Sequence, residues 1–231
     1  MEEDLLINTT QGEVFARYKK SYTNTIVVMI HGLGGTMNSI FYREIPNLTQ
    51  HSTLRFDLTG HGRSGGEIQI LYFAQLEQIQ EILQLFQEEK RIFIGHSKGA
   101  TLAFLIAQIS DKVICVAGRW NMQNQPASRF TPEELEKIST GNSIMKNFGK
   151  YTVRVTNESF EERSKMIMNQ LLSGKQDIFV KILVGSLDTV IPTQDSVDIQ
   201  NFFKRTQLYQ LDSDHSSFTI DLVEDSILDW L

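Results

Sequence analysis

One short segment places a nucleophilic side chain between the glycines that a tight turn needs: Gly95-His96-Ser97-Lys98-Gly99. Residues 91–94 before it have the apolar pattern of a buried strand, and residues 100–109 after it have the pattern of a buried helix. At such a strand-to-helix turn the serine hydroxyl is exposed, and the flanking glycines let the strand and the helix approach closely. This context favours Ser97 as a nucleophile over a surface serine in a chance glycine-rich turn.

A serine hydroxyl is a poor nucleophile at its ordinary pKa, so a base must lie within hydrogen-bond reach and a third group should orient that base. Where a serine occupies this kind of turn, the acid and then the histidine follow it along the chain. His215 is the only histidine after Ser97, and it comes directly after the predicted strand 207–211. We therefore predict that His215 is the general base.

The orienting acid is predicted to be Asp188, which lies in the loop after the predicted strand 180–184. Parallel sheets bind ligands at the carboxyl ends of their strands, where both Asp188 and His215 fall. Four other aspartates have structural explanations, as loop caps beside the histidine or as acids near the start of a helix that follows Pro192: Asp212, Asp214, Asp195 and Asp198.

An acyl-transfer site also needs two backbone N–H donors for the oxyanion. Lys98, directly after the serine, is predicted to supply one. The second is expected from the glycine-rich loop 31–35, with Leu33 as the favoured donor and Gly34 as the alternative. A glycine-rich loop after a strand can also bind phosphate, but neither dinucleotide-binding nor P-loop spacing is present.

These residues must be positioned by a regular scaffold, and the rest of the chain predicts one. Short apolar segments alternate with segments of helical period, which predicts an α/β fold with a mostly parallel, twisted sheet of about eight strands and helices on both faces. Residues 5–18 are expected to form an antiparallel hairpin at the sheet edge. The predicted inner strands are 25–30, 53–56, 91–94, 113–117, 180–184 and 207–211, and an amphipathic helix is predicted around 76–86.

The segment 119–174 interrupts this rhythm. It contains Pro126, Pro132, Gly141 and Gly149, a charged helical piece and a strand-like stretch at 151–155. We interpret it as a cap insertion above the site, within a single domain that spans residues 1–231.

The composition restricts the partners. A length of 231 residues and 41% hydrophobic residues suffice for one sizeable core, and a formal net charge of −6 disfavours nucleic acid as a partner. The acidic start and the absence of a long apolar run predict no integral membrane segment and a cytoplasmic protein. No metal or cofactor is expected, since the histidines lack ligand spacing and Cys115 is the only cysteine. The sequence does not indicate an oligomeric state.

Several of these motifs together resemble the α/β-hydrolase superfamily: HGLGG at 31–35, GHSKG at 95–99, GSLDTVIP at 185–192 and DSDHSSF at 212–218, with the strand-and-loop stretch 54–65. Within the superfamily, segments 117–121 and 151–156 make the chain similar to feruloyl/cinnamoyl esterase-like enzymes and to a eukaryotic branch of serine hydrolases. The resemblance implies scaffold roles, not catalytic ones, for five further residues: His31, Asp57, His61, Arg63 and His96.

Together, the residues and the resemblance predict that a small-molecule carboxylic ester is cleaved through an acyl-enzyme intermediate beneath a small cap. Because a fold and its reactive residues do not fix the substrate, a monoacylglycerol lipase or a serine aminopeptidase remains an alternative. A non-catalytic ligand-binding protein on the same scaffold is the alternative from another class.

Overall fold

The structure, a computed structural model, describes residues 1–124, 129–148 and 151–231. Its strands, numbered in chain order, are β1 Glu3–Thr9, β2 Gly12–Lys19, β3 Thr25–Ile30, β4 Ser52–Phe56, β5 Lys90–His96, β6 Lys112–Val116, β7 Ile144–Asn147, β8 Thr152–Val155, β9 Phe179–Gly185 and β10 Arg205–Leu211. The helices are α1 Ile45–Leu48, α2 Tyr72–Leu83, α3 Lys98–Ile106, α4 Pro132–Ser139, α5 Asn157–Lys165, α6 Met168–Leu171, α7 Thr193–Phe202 and α8 Ile220–Ile227, followed by a 3₁₀ turn at Leu228–Trp230.

Eight strands form one sheet in the order β1-β2-β4-β3-β5-β6-β9-β10. The β1–β2 hairpin and the β2–β4 pair are antiparallel, and all remaining pairs are parallel. This arrangement confirms the predicted α/β fold with a mostly parallel eight-stranded sheet. The site follows from the topology, because the carboxyl ends of β3, β5, β9 and β10 share one edge.

The sheet is covered on both faces, which explains why its central strands lack the usual alternation of apolar and polar residues. In β3, Ile26, Val28 and Ile30 belong to the larger apolar cluster, whereas Val27 and Met29 belong to the second. Helices α2, α3 and α7 contribute to the first cluster, and α1 and α8 contribute to the second. Within the described residues, no helix is long and apolar enough to span a membrane.

Two elements differ in detail from the prediction. The helix predicted over 100–109 is α3, and it ends at Ile106 because Ala107 adopts an extended backbone. The turn that follows is held by the Asp111 carboxylate, which accepts a hydrogen bond from the Gln108 N–H at 2.7 Å. Strand β10 lies at the sheet edge and is largely exposed, although its sequence was interpreted like the buried strands.

The chain between β6 and β9 leaves the main sheet and forms helices α4 to α6 and the antiparallel pair β7–β8. The pair has its own small apolar cluster, in which Phe130 and Ile138 pack with Val153 and Val155. Strand β7 was not predicted, since its four residues carry little apolar pattern. Residues 125–128 and 149–150, which include the Pro126 and Gly149 used in the sequence analysis, lie outside the described residues.

Candidate active site

The turn after β5 places Ser97 in a strained backbone conformation. Its φ of 53° and ψ of −116° are unusual for a residue with a side chain. The glycines on either side are required by close packing: a Cβ on Gly99 would collide with the Ile30 carbonyl oxygen, and one on Gly95 would lie 2.5 Å from the Ala100 Cα. The backbones of the strand and the helix are therefore in direct contact at this turn. The Ser97 side chain lines a cavity.

The three residues predicted to act together are joined by hydrogen bonds. His215 Nε2 lies 3.0 Å from Ser97 Oγ, and His215 Nδ1 lies 2.8 Å from Asp188 Oδ2. A carboxylate can only accept, so Nδ1 carries the proton and Nε2 is left with a lone pair that faces the serine hydroxyl. This arrangement can remove a proton from Ser97 while the carboxylate stabilises the resulting imidazolium.

Asp188 is fixed from both sides. Its Oδ1 accepts hydrogen bonds from the Val190 N–H at 2.7 Å and the Ile191 N–H at 3.0 Å, while Oδ2 faces His215. Burial would raise the pKa of this carboxyl group, but the hydrogen bonds from His215 and the two backbone donors outweigh burial and lower it. Asp188 is therefore ionised at neutral pH.

A second histidine positions the first. His96 Nε2 donates to the His215 carbonyl oxygen at 2.7 Å, and burial lowers the pKa of His96 to about 4, so this imidazole is neutral at pH 7. On the other side of the loop, Asp214 Oδ1 accepts from the Ser216 and Ser217 N–H groups, each at 2.8 Å. Asp214 thus caps the turn and is occupied away from the imidazole.

The predicted oxyanion donors border the same cavity as Ser97 and His215. The Lys98 N–H is in the first turn of α3, where helix amides have no intrahelical acceptor. Leu33 forms no hydrogen bond within the described part of the chain. Gly32 lets the loop approach: a Cβ there would lie only 3.1 Å from the Ser97 Cβ. Both amides are consequently free to bind an oxygen near Ser97.

Buried polar residues hold this loop in place. Asp57 accepts hydrogen bonds from the Met37 N–H at 2.7 Å and the Arg63 N–H at 2.8 Å. His31 Nε2 accepts from the Leu58 N–H at 3.0 Å, and burial lowers the pKa of His31 to about 3. Neither His31 nor Asp57 contacts Ser97 through a hydrogen bond, which agrees with the scaffold roles implied by the resemblance.

The cavity has a volume of about 340 Å³ and lies between the sheet edge and the insertion. Its wall includes four aromatic side chains from the insertion: Phe130, Phe148, Tyr151 and Phe160. The Tyr151 ring packs against Gly34, where a Cβ would overlap it. The insertion therefore covers the loop that carries the predicted oxyanion donor, as a cap would.

Sequence reasoning missed four cationic side chains of the cavity wall: Lys98, Arg119, Arg129 and Arg163. Lys98 was predicted only as a backbone donor, yet its side chain is buried with Nζ 4.7 Å from the centre of the Tyr72 ring. Burial lowers the pKa of Lys98 to about 7. The three arginines come from the segment predicted as an insertion, and no local pattern indicates that they converge.

No other nucleophile or metal-binding group is indicated in the described part of the chain. Cys115 is buried in β6, and burial raises the pKa of its thiol to about 12. Among the described residues, no cluster of three or more histidine, cysteine or acidic side chains is placed to hold a metal ion.

A family model described as alpha/beta hydrolase fold matches residues 25–138. The esterase YbfF of Escherichia coli K12 is 27% identical over 96 residues, which is 41% of this chain and 38% of that protein. The matched part thus spans well under two thirds of the relative.

Two solved structures resemble almost the whole chain. Est1E from Butyrivibrio proteoclasticus with bound ferulic acid is 17% identical, with a TM-score of 0.79 over 98% of this chain and 97% of that one. The mouse alpha/beta hydrolase domain-containing protein 10 is 19% identical, with a TM-score of 0.72 over 92% and 90%. At such identities the likeness concerns the fold.

The eight-stranded sheet and the serine turn after β5 are features of the α/β-hydrolase fold, and the matching family model describes the same fold. The chain therefore has the α/β-hydrolase fold, and the proteins it is similar to include an esterase by sequence and Est1E by structure.

Proposed function

We propose that this protein is a serine hydrolase that cleaves carboxylic esters, with Ser97 as nucleophile, His215 as general base and Asp188 as the orienting acid. The single observation that carries the proposal is the continuous hydrogen-bonded chain from Asp188 Oδ2 through the imidazole to Ser97 Oγ. Its hydrogen-bond directions are those that acyl transfer requires.

In the first half-reaction, Ser97 Oγ attacks the ester carbonyl carbon and His215 Nε2 takes the hydroxyl proton. The tetrahedral intermediate then collapses, the C–O bond to the alcohol breaks, and the imidazolium returns the proton to the departing alkoxide. The acyl group is left on Ser97. In the second half-reaction, water adds to the acyl carbon, its proton passes through His215 to Ser97 Oγ, and the carboxylic acid is released.

The oxyanion of both intermediates is assigned to the backbone N–H groups of Lys98 and Leu33. Lys98 begins α3, so the positive end of the helix dipole adds to its hydrogen bond. The freedom of both amides supports this role, because a donor already paired within the protein could not stabilise the developing charge.

The ester class is supported by the chemistry named for relatives. The curated match is an esterase, and the structural neighbour Est1E holds ferulic acid, an aromatic carboxylic acid. A cavity of about 340 Å³ with aromatic walls suits a small acyl group better than a long lipid chain. A short or aromatic acyl ester is therefore favoured over a monoacylglycerol. The cytoplasmic location inferred from sequence remains a prediction.

The test is a substrate panel with a matched variant. We expect wild-type protein to hydrolyse short-chain and cinnamoyl-type esters, with lower kcat/KM on long-chain monoacylglycerols and aminoacyl amides. Ser97→Ala should lose at least about 10³-fold in kcat while retaining its circular dichroism spectrum. Ser173→Ala is the control, because Ser173 is exposed and lies outside the cavity wall.

Equal turnover by Ser97→Ala and wild type would overturn the assignment of the nucleophile. Hydrolysis of amides but not esters would move the function to the aminopeptidase class. Absence of any turnover, with ligands still bound, would indicate the non-catalytic alternative.

A further inference from the structure

The cavity beside Ser97 is strongly cationic in a chain that is acidic as a whole. Three arginines and one lysine line it, although the formal net charge of the chain is −6. No aspartate or glutamate lines it within the part of the chain that the structure describes. An enzyme for neutral esters has no need of such a concentration of positive charge in a partly buried space.

The side chains of Lys98, Arg119 and Arg163 are not neutralised by ion pairs within the described residues. Lys98 Nζ lies 3.4 Å from the carbonyl oxygens of Gln69 and Leu71, and Arg119 Nη2 donates to the Val190 carbonyl at 2.8 Å. These acceptors are uncharged. They orient these side chains without neutralising them. Because burial lowers the pKa of Lys98 to about 7, the two arginines carry most of the positive charge that is available to a ligand.

The burial of Arg163 is a second observation, independent of the charge count, that indicates an anion site. It is 92% buried, since only 8% of its surface is exposed, and it lines the cavity from α5. Its Nη2 donates to the Asn124 carbonyl at 3.2 Å, but its Nε is buried with no partner within the described residues. A buried guanidinium whose donors are incompletely paired is costly. An anionic oxygen supplied by a ligand in the adjoining cavity would therefore stabilise the Arg163 side chain.

Two carboxyl groups near these cations are not part of the cavity lining, so neither occupies the position of a bound anion. Glu162 accepts a hydrogen bond from the Tyr72 N–H at the start of α2, and Asp195 accepts one from the Asn121 N–H at 2.9 Å. Burial raises the pKa of both carboxyl groups. They offset part of the cationic field from outside the cavity, and neither forms a salt bridge with Arg163.

We infer that the natural substrate is an ester with an anionic oxygen group, a carboxylate or a phosphate, which binds to Arg163 beneath the insertion while the ester carbonyl lies at Ser97. This substrate class rests on the serine-hydrolase function proposed above. A guanidinium presents its N–H groups in a fork that matches either anion, and the aromatic wall accommodates the apolar part of the same molecule.

The inference is tested with p-nitrophenyl monoesters of succinic, glutaric and adipic acid, each compared with the half-amide of the same length. The acid and the amide have nearly equal shape and differ by one negative charge. We expect kcat/KM to be about 10- to 100-fold higher for the acid of the best length, the range that one charge-assisted hydrogen bond gives. A p-nitrophenyl ester of the same length that carries a phosphonate in place of the carboxylate distinguishes the two anions. A higher kcat/KM than that of the half-amide, for either the carboxylate or the phosphonate ester, supports the inference.

Variants then locate the preference. Arg163→Met keeps the side-chain volume and should reduce the acid-to-amide ratio to below about 3, whatever its absolute rate. Arg154→Met is the matched control, because Arg154 is on the same insertion, pairs with Glu67 and does not line the cavity. It should keep the wild-type ratio. If Arg163→Met does not fold, as judged by thermal melting, Arg129→Met at the exposed mouth should lower the ratio instead.

The outcomes separate this inference from the proposed function. Turnover of both esters with equal kcat/KM would overturn the anionic substrate and leave the hydrolase intact. If no ester is turned over, calorimetric titration with glutarate and with glutaramide decides: binding of glutarate alone, lost in Arg163→Met, supports the anion site without catalysis. Equal binding or no binding of these two probes would refute it.

Discussion

Replacing Asp188 with asparagine tests the hydrogen-bond directions on which the proposed mechanism depends. In the wild type, Oδ1 accepts from two backbone N–H groups and Oδ2 accepts from His215. An asparagine can satisfy the Val190 and Ile191 donors only with its carbonyl oxygen, and this leaves its NH₂ group facing His215 Nδ1. Turning the amide round would set two donors against two donors, at about 1–3 kcal/mol for each buried group left unpaired.

The protein environment therefore forces the Asp188→Asn amide to donate to Nδ1. The imidazole must then carry its proton on Nε2, which can no longer accept the Ser97 proton. We expect kcat to fall by about 10⁴-fold with little change in fold, the size of loss seen when a base is held in the wrong tautomer. Steady-state hydrolysis of an activated ester, with a circular dichroism spectrum of each variant, measures the effect.

The control is Asp212→Asn, which removes the same charge from an exposed position three residues before His215. It should retain activity within about 2-fold. If Asp188→Asn stayed within about 10-fold of wild type, or if Asp212→Asn lost as much, Asp188 could not be the group that orients the base.

Three further predictions concern stability. Because Ser97 has a positive φ, Ser97→Gly should be more stable than Ser97→Ala by about 1 kcal/mol in urea unfolding, although both lack the hydroxyl; equal stability would mean that the turn is unstrained. Gly99→Ala should lose about 3 kcal/mol, since its Cβ meets the Ile30 carbonyl, and an unchanged melting temperature would contradict this packing. Burial lowers the pKa values of His31 and His96 to about 3 and about 4, so between pH 6.5 and 4 the unfolded chain binds protons that the folded chain does not. Stability should fall on acidification through that window, with a slope approaching 1.4 kcal/mol per pH unit for each histidine; a flat profile would show that the two imidazoles are protonated in the folded state.

Local patterns were sufficient for the elements of the sheet. Buried strands on a parallel sheet are short and apolar throughout, so β3 could be predicted with its observed bounds. Ser97, His215 and Asp188 could also be predicted from the sequence. The serine lies in a turn with strong sequence requirements, and only one histidine follows it. Strand β7 escaped prediction because two of its four residues are exposed and two are half-buried, so its sequence carries little apolar pattern.

The cationic wall could not be predicted for a different reason. Arg119 comes just after β6, Arg163 belongs to α5, and Lys98 begins α3, so only tertiary packing brings their side chains to one cavity. Each residue alone is typical of a solvated surface. The burial of Arg163 depends on how the insertion folds back over the sheet, which its mixed polar sequence does not indicate.

The central claim is that Ser97 is a nucleophile activated by its hydrogen-bonded partners. The most direct measurement is intact-protein mass spectrometry after treatment with a fluorophosphonate, followed by peptide mapping. We predict one stoichiometric adduct on Ser97, its absence in Ser97→Ala, and much slower labelling of Asp188→Asn. No adduct on the folded wild-type chain, or an adduct on another serine that persists in Ser97→Ala, would contradict the claim.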